Sequence, residues 1–160
     1  MSIEIITTGG TIDKVYFDAK SSFEIGEPQI GEVLGDANLT VEYRITPLLR
    51  KDSLELTDAD RQLIRKQVLE SSATQIVITH GTDTMVDTAR FLKGIAGKTI
   101  VLTGAMQPAR FRFTDAIYNI ASAVTAVQLL PKGVWIAMNG QCFDPEKTWK
   151  NVAMNRFEVC

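Results

Sequence analysis

The sequence predicts an α/β fold in three layers, with a mostly parallel β-sheet covered by helices on both faces. Short apolar segments rich in Ile, Val and Thr alternate with amphipathic helical patterns along the whole chain. Two of these segments, residues 75–79 and 98–103, are apolar almost throughout, which is typical of strands buried on both faces. No linker or fixed-period repeat divides the chain, so we expect a single domain over residues 1–160.

Composition excludes several classes of protein. The 160 residues carry a formal net charge of −2 and no Lys/Arg run, so nucleic acid is not an expected partner. No segment resembles a signal peptide or reaches the length of a membrane span. Two cysteines are too few for a disulfide framework and lack zinc-ligand spacing, and with the missing signal they favour the cytoplasm.

The first half of the chain predicts two strands and two helices. The strands are residues 3–8 and 40–46, the second closed by Pro47 and followed by a loop over residues 48–56. The helices are residues 30–34 and a longer one to about Ser71, with Thr57 as its N-cap. Residues 14–27 show no clean period, so we expect an irregular connection that is either an active-site lid or a solvent loop anchored by its aromatic residues.

The second half continues the alternation. Strands are predicted at residues 75–79, 98–103 and 134–138, with helices at residues 84–94 and from the cap Thr114 to Leu130. Asn139 begins an irregular loop that returns over the edge of the sheet. The last ten residues give no clear pattern, although residues 156–159 are compatible with a strand.

Three predicted strands end in Thr followed by small residues. These segments are Thr8-Gly9-Gly10-Thr11, Thr79-His80-Gly81-Thr82 and Thr103-Gly104-Ala105. Adjacent parallel strands bring such turns to one edge of a sheet, which is where ligands bind in open α/β folds. We therefore expect the Thr11 and Thr82 hydroxyls to face one crevice, with Asp83 beside Thr82. A simpler interpretation is that Asp83 or Thr84 only caps the following helix.

A threonine hydroxyl needs a base to become a nucleophile. His80, the single histidine, is one candidate, although a packed core residue is an equal interpretation. A lysine beside a carboxylate is the other candidate, because burial disfavours its charged form. The loop after Asn139 favours Lys147 or Lys150, and turn amides could stabilise an oxyanion. The chemistry indicated is acyl transfer or amide hydrolysis without metal, nucleotide or other cofactor.

Two motifs resemble the signatures of the bacterial-type L-asparaginase family. They are Thr7-Thr8-Gly9-Gly10-Thr11-Ile12 and Thr79-His80-Gly81-Thr82-Asp83-Thr84-Met85, and Gly104-Ala105-Met106-Gln107-Pro108 is similar to a third segment. The resemblance covers the whole chain but only the family's larger N-terminal domain. It implies the asparaginase N-terminal fold and hydrolysis of L-asparagine to L-aspartate and ammonia, and it points to the short, single-domain members.

The resemblance also implies catalytic residues. Thr11 matches the first catalytic threonine, which attacks the side-chain amide. Thr82 matches the second, in a triad with Asp83 and Lys150, whereas Lys147 does not fall at the position of the family's triad lysine. Tyr16 is the phenol nearest to the position of a tyrosine on the family's lid that helps to activate the first threonine; the aligned residue itself is Phe23.

Three residues are candidates for substrate binding. The resemblance implies that Ser53 would hold the α-carboxylate of the substrate and that Ala105 would offer its carbonyl to the leaving amide. Gly10 is a candidate because glycine lets a ligand approach the backbone closely. The family's glutamine after that serine is replaced by Leu54. The family's C-terminal domain, which supplies a carboxylate for the substrate's amino group across a subunit interface, has no counterpart in this sequence, so we expect at least a homodimer.

Two other functions compete. The glycine-rich turn at residues 8–12 could bind a dinucleotide, but it lacks the G-x-G-x-x-G pattern and the acidic residue expected further on. A non-catalytic or weakly active amino-acid-binding or sensor domain on the same fold is the second alternative, since a fold does not determine function. The sequence does not decide between asparagine and glutamine or give the number of subunits.

Overall fold

The computed structural model describes residues 2–160, which form ten strands and four α-helices. The strands are β1 Ser2–Gly9, β2 Lys14–Phe17, β3 Ser22–Ile25, β4 Glu42–Lys51, β5 Gln75–Thr79, β6 Thr99–Thr103, β7 Gly133–Met138, β8 Gln141–Phe143, β9 Thr148–Asn151 and β10 Arg156–Val159. The helices are α1 Ile30–Asp36, α2 Asp58–Glu70, α3 Met85–Phe91 and α4 Ala116–Leu129. Four 3₁₀ turns lie at Thr11–Asp13, Asp18–Lys20, Ser53–Glu55 and Pro145–Lys147.

Six strands form one sheet in the order β4-β1-β5-β6-β7-β8. The pairs from β4 to β7 are parallel, and β8 is antiparallel to β7 at the edge. The mostly parallel sheet predicted from the alternating pattern is therefore confirmed. In the register of the sheet Thr7 lies beside Thr79, and Thr79 lies beside Thr103, so the three central strands end at the same level.

Helices cover both faces of this sheet. On one face, Ile64 of α2 and Met85 of α3 pack against Ile78 of β5 in one apolar cluster. On the other face, Ile30 of α1 and Ile120 of α4 belong to a second cluster with the neighbouring strands. Burial of each such side chain stabilises the fold by about 1.5–3 kcal/mol, so the two clusters hold the strand ends in place. No helix within residues 2–160 is long and apolar enough to cross a membrane.

The predicted helix boundaries agree with the structure in most places. Thr57 caps α2 through a capping box with Asp60, whose backbone amide donates to the threonine hydroxyl at 3.2 Å. Helix α4 begins at Ala116 rather than at the predicted cap Thr114, although Thr114 Oγ1 accepts a hydrogen bond from the Ala116 amide at 3.0 Å. Helix α3 ends at Phe91, before the predicted end at Gly94.

Strand β4 corrects one prediction. It continues through Pro47 to Lys51, over much of the predicted loop of residues 48–56, and only the rest of that loop holds the 3₁₀ turn Ser53–Glu55. Because β4 is the edge strand of the sheet, it pairs on one side only and tolerates a residue without an amide hydrogen.

Two predicted irregular segments are also wrong. Residues 14–25 form a hairpin of β2 and β3, in which Tyr16 lies opposite Phe23. Every residue of the two strands is half-buried or exposed, so no fully buried face imposes the alternation that the prediction needed. After β7, Asn139 and Gly140 adopt φ of 52° and 75° and reverse the chain into β8, and β9 then pairs with β10.

Candidate active site

Three turns at the carboxyl edge of the sheet lie against one another through their glycines. A Cβ atom built on Gly10 would lie 2.5 Å from the backbone nitrogen of Gly81, and one on Gly104 would overlap the carbonyl oxygen of His80. Gly10 also has φ of +89°, a conformation that favours glycine. The absence of side chains here allows the turns that carry Thr11, Thr82 and Ala105 to meet, as the motif spacing predicted.

Lys150 reaches the Thr82 turn from strand β9. Its Nζ donates to Thr82 Oγ1 at 2.8 Å and to Asp83 Oδ1 at 2.7 Å. Thr82 is 7% exposed and the Lys150 side chain 13% exposed, so both are shielded from bulk water, whereas the Asp83 side chain is 39% exposed. A hydroxyl, an amine and a carboxylate in this order can exchange protons.

The hairpin of β9 and β10 holds Lys150 in this position. Phe157 lies opposite Lys150 in the register, and its 2% exposed ring packs in the cluster beneath α3. The Phe157 amide donates to Asn139 Oδ1 at 2.8 Å, which joins the hairpin to the turn after β7. The exposed Lys147, the other lysine considered from the sequence, lies in the turn Pro145–Lys147 and makes no side-chain contact with Thr82 among the described residues.

His80 is a packed residue and not a base for Thr82. Its ring is fully buried, with Nδ1 2.6 Å from the carbonyl oxygen of Gly81 and Nε2 2.8 Å from Thr88 Oγ1. Burial, with a smaller contribution from the nearby Arg61 guanidinium, lowers the pKa of His80 to about 4, while the Gly81 carbonyl and Asp87 act in the opposite direction. Both ring nitrogens are therefore occupied and the ring is neutral near pH 7.

Thr11 differs from Thr82 in its surroundings. It opens the 3₁₀ turn Thr11–Asp13, is half-buried, and its hydroxyl has no hydrogen-bond partner within residues 2–160. The following residues are fixed, because the carbonyl oxygen of Ile12 accepts the Ala109 amide at 3.0 Å and Asp13 Oδ1 accepts the Gln29 amide at 2.9 Å. Burial raises the pKa of Asp13 to about 6, while the Gln29 amide and Arg50 act in the opposite direction.

The hairpin of β2 and β3 leaves the body directly after the Thr11 turn. Tyr16 is 53% exposed and its ring meets Phe23 edge-on, with ring centroids 5.4 Å apart; Phe23 meets Phe111 in the same way at 5.7 Å. The Tyr16 hydroxyl forms no hydrogen bond with Thr11 in the described part of the chain. The Phe23–Phe111 contact thus joins the hairpin to the segment before α4, and the phenol of Tyr16 is not joined to Thr11.

Ser53 lies behind the Thr82 turn. It is 1% exposed, its Oγ accepts the Thr84 amide at 3.3 Å, and its carbonyl oxygen accepts the Thr84 hydroxyl at 2.8 Å. A Cβ on Gly81 would collide with Ser53, so the glycine allows this close packing. Ser53 retains its own hydroxyl proton for a further acceptor. Leu54, which follows it, is 72% exposed and points away from the core.

The Ala105 turn is ordered by two residues that sequence reasoning missed. Asp115 accepts the amides of Met106 and Gln107 at 2.9 Å and 3.0 Å, and Asn119 Nδ2 donates to the carbonyl oxygen of Gly104 at 2.9 Å. Asp115 and Asn119 are one helical turn apart at the start of α4, which is the only signal that the sequence carries for this role. The Ala105 carbonyl accepts no hydrogen bond from the residues described.

Among residues 2–160 the site lies apart from the groove between α1 and α4 and contains no cluster of metal-ligating side chains. Within residues 2–160 no three His, Cys, Asp or Glu side chains are grouped so that they could hold a metal ion. A groove of about 710 Å³ lies between α1 and α4, and none of the candidate catalytic residues lines it. The groups that the described residues offer at this edge of the sheet are hydroxyl, amine, carboxylate and backbone groups.

Comparison with known proteins identifies the family. A family model described as asparaginase, N-terminal, matches residues 2–158. The chain belongs to this asparaginase family. The resemblance that the sequence motifs indicated is thereby confirmed.

The relatives of this asparaginase domain carry names that describe different activities. It is 30% identical over 169 residues to the glutaminase-asparaginase of Acinetobacter glutaminasificans, covering 94% of this chain and 50% of that protein. It is also 42% identical over 81 residues to a subunit of the glutamyl-tRNA(Gln) amidotransferase of Methanococcus vannielii, covering 49% of this chain and 19% of that protein. The chain spans about half the length of the first relative and less of the second.

Solved structures agree with the fold. The thermostable L-asparaginase from Thermococcus kodakarensis superposes with a TM-score of 0.86 at 25% identity, over 99% of this chain and 51% of that one. The asparaginase domain described here therefore corresponds to about half of that enzyme chain.

Proposed function

We propose that this domain hydrolyses the side-chain amide of L-asparagine to L-aspartate and ammonia. The contact that supports this proposal best is the Lys150 Nζ, 2.8 Å from Thr82 Oγ1 and 2.7 Å from Asp83 Oδ1. A largely shielded lysine that donates to both a hydroxyl and a carboxylate is placed to pass protons between them. Membership of the asparaginase family supports the same reaction class.

The proposed reaction has two steps, with Thr11 as the nucleophile. Thr11 Oγ1 bonds to the amide carbon, the carbon–nitrogen bond breaks, and the threonine proton passes to the nitrogen, which leaves as ammonia. Water then adds to the carbonyl carbon of the resulting ester, the bond from that carbon to Thr11 Oγ1 breaks, and a proton from the water returns to Thr11 Oγ1 as aspartate is released. Thr82, Lys150 and Asp83 form the proton-transferring triad beside this centre, and Tyr16 assists Thr11 once the hairpin closes.

The substrate would be held by groups of the surrounding turns. Gly10 leaves room beside the Thr11 turn, the Ser53 hydroxyl proton is available to an α-carboxylate, and the Ala105 carbonyl is available to the amide nitrogen. The exposed Leu54 offers no polar contact, so we expect weaker binding than a polar side chain at that position would give.

Release of ammonia from asparagine tests the proposal. We expect the parent chain to release ammonia and both Thr11→Val and Thr82→Val to lose at least about a hundredfold in kcat. Thr99→Val is the matched control, because Thr99 is a buried threonine at the opposite end of β6, where its hydroxyl donates to the Leu130 carbonyl. Full activity in both site variants would show that the assignment is wrong.

Two further outcomes would identify the competing functions. Aspartate that binds tightly without any turnover of asparagine would indicate a non-catalytic amino-acid-binding domain. Thermal stabilisation by a nucleotide but not by aspartate would indicate a dinucleotide-binding module. Glutamine should be assayed beside asparagine, because one relative is named a glutaminase-asparaginase.

We also propose that the chain assembles at least into a homodimer in the cytoplasm. Aromatic residues of the hairpin after the Thr11 turn are exposed, among them Tyr16 at 53% and Phe23 at 49%, and a second subunit could cover them. Cys142 and Cys160 are unpaired and exposed, which suits a reducing compartment. Light scattering that gives a monomer mass at assay concentration would refute the dimer, and cell fractionation tests the compartment.

A further inference from the structure

We propose that Arg61, Thr88 and His80 form a directional hydrogen-bond chain that fixes the Gly81–Thr82 peptide and so positions the Thr82 hydroxyl for Lys150. None of the three touches the proposed reacting atoms, so each is a positioning residue. The inference rests on the proposed function, because it gives the chain a task in the reaction assigned to Thr82.

The direction of the chain follows from the last acceptor. A carbonyl oxygen can only accept, so the 2.6 Å contact with Gly81 places the imidazole proton on Nδ1 of His80. Nε2 must then accept, and Thr88 Oγ1, 2.8 Å away, donates to it. The oxygen of Thr88 in turn accepts Nε–H of Arg61 at 3.1 Å. Each group thus has the partner that its donor or acceptor character requires.

Burial makes this arrangement rigid. His80 and Thr88 are fully buried, and the Arg61 side chain is only 11% exposed. The His80 amide donates to the Thr103 carbonyl at 2.9 Å, and Gly104 lies directly against the His80 carbonyl. Loss of one link would leave a buried polar group without a partner, which is costly in a dry interior.

The position of this hydrogen-bond chain links it to the Thr82 turn rather than to the core in general. The hydrogen-bond chain begins at Arg61 on α2, passes through Thr88 on α3 and ends at the carbonyl oxygen of Gly81, in the peptide that joins Gly81 to Thr82. Lys150 holds the other side of the same residue, through Thr82 Oγ1. Because the pKa of His80 is lowered to about 4, the ring keeps one proton and one direction through neutral pH. A catalytic group displaced by about 1 Å can cost on the order of 100-fold in rate.

Substitution of Thr88 separates positioning from simple packing. We expect Thr88→Val, which keeps the shape but removes the hydroxyl, to lower kcat about 30-fold or more and to change KM less than about threefold. Thr88→Ser should restore most of the activity, because it restores the hydroxyl. Thr99→Val should lower thermal stability and leave kcat near that of the parent. Unchanged kcat in folded Thr88→Val would overturn the proposal.

A second measurement distinguishes this proposal from the proposed function. If the parent releases no ammonia from any amide, the proposed function fails. The hydrogen-bond chain is then tested by ¹⁵N NMR of His80, the single histidine of the protein. We expect the Nδ1–H tautomer without titration above about pH 5, and a shifted Thr82 amide resonance in Thr88→Val but not in Thr88→Ser. Three results would contradict the proposed hydrogen-bond chain: an Nε2–H tautomer of His80, titration of His80 near the ordinary pKa of histidine, or an unchanged Thr82 amide resonance in Thr88→Val.

Discussion

The Thr82 and Thr11 turns begin in the same way and end in different environments. Each comes after a buried parallel strand of the same sheet, and the two meet through Gly10 and Gly81. The Thr82 hydroxyl is buried and bonded to Lys150, whereas the Thr11 hydroxyl is half-buried and has no bonding partner among residues 2–160. The two hydroxyls therefore differ in how far the surrounding protein fixes them.

The difference arises from the element that the chain enters after each turn. After Thr82 the chain enters α3, whose Thr88 reaches back to His80 and whose Met85 is buried in the core. After Thr11 and its 3₁₀ turn the chain enters the hairpin of β2 and β3, whose side chains are half-buried or exposed and whose Phe23 contacts Phe111. Two similar turns thus fix their threonine hydroxyls to different degrees, because this depends on how the element after each turn packs against the rest of the protein.

The largest expected effect concerns the ordered turn. Lys150→Met should lower kcat for asparagine by about a thousandfold, since it removes the proposed proton-transferring amine. Thr82→Val combined with Lys150→Met should cost little more than either change alone, because the two groups act as a unit. The measurement is steady-state ammonia release, with Lys147→Met as the matched control in the same segment. Independent, multiplying losses would show that the contact has no role in the reaction.

The next effect contrasts the two turns through pH. His80 has a pKa of about 4 in the fold against an ordinary value of 6.5, so the stability it contributes is complete above pH 6.5 and is lost as the pH falls toward 4. Asp13 has a pKa of about 6 in the fold against an ordinary value of 3.8, so between these pH values the folded state binds the proton more tightly than the unfolded state does. The stability that Asp13 contributes is therefore lost as the pH rises from about 4 to 6. Each group changes the free energy of unfolding by about 3 kcal/mol at most.

Urea unfolding at several pH values measures these contributions. The stability of the parent relative to His80→Asn should fall between pH 6.5 and 4, and its stability relative to Asp13→Asn should fall between pH 4 and 6. Asn keeps a carbonyl oxygen for the Gln29 amide, so the second comparison isolates the charge of Asp13. Two parallel pH profiles would mean that the two turns do not differ in the way described.

The smallest effect concerns the hairpin beside Thr11. Tyr16 and Phe23 are opposite each other in the register, so exchanging them conserves the aromatic pair while moving the phenol. We expect Tyr16→Phe to lower kcat about tenfold, and the double variant Tyr16→Phe with Phe23→Tyr to recover part of that loss. Equal kcat in the parent and in Tyr16→Phe would remove Tyr16 from the proposed catalytic set.

The sequence predicted the framework well because burial imposes patterns. The strands β1, β5, β6 and β7 are largely buried, and strand-end glycines marked the turns that meet. The hairpin of β2 and β3 was missed because neither of its faces is fully buried. The reversal at Asn139 and Gly140 carried a usable signal, since Asn-Gly is typical of a tight hairpin turn.

Much of the candidate site could be found from motifs, but its supports could not. The Thr11 and Thr82 motifs are short continuous segments that can be recognised in the sequence, and the resemblance to the family selected Lys150 over Lys147. The bonds from Thr88 to His80 and from Asn119 to Gly104 depend on how helices lie on the sheet, a property that no local pattern records. Positions of this kind become visible only when packing is known.

A structure of the chain with bound L-aspartate would test the central claim most directly. We predict that the side-chain carboxyl carbon of aspartate lies between Thr11 Oγ1 and Thr82 Oγ1, in contact with Thr11, while Lys150 remains bonded to Thr82 and Asp83. Aspartate bound instead in the groove between α1 and α4, or bound at the site with neither threonine hydroxyl near that carbon, would contradict the account.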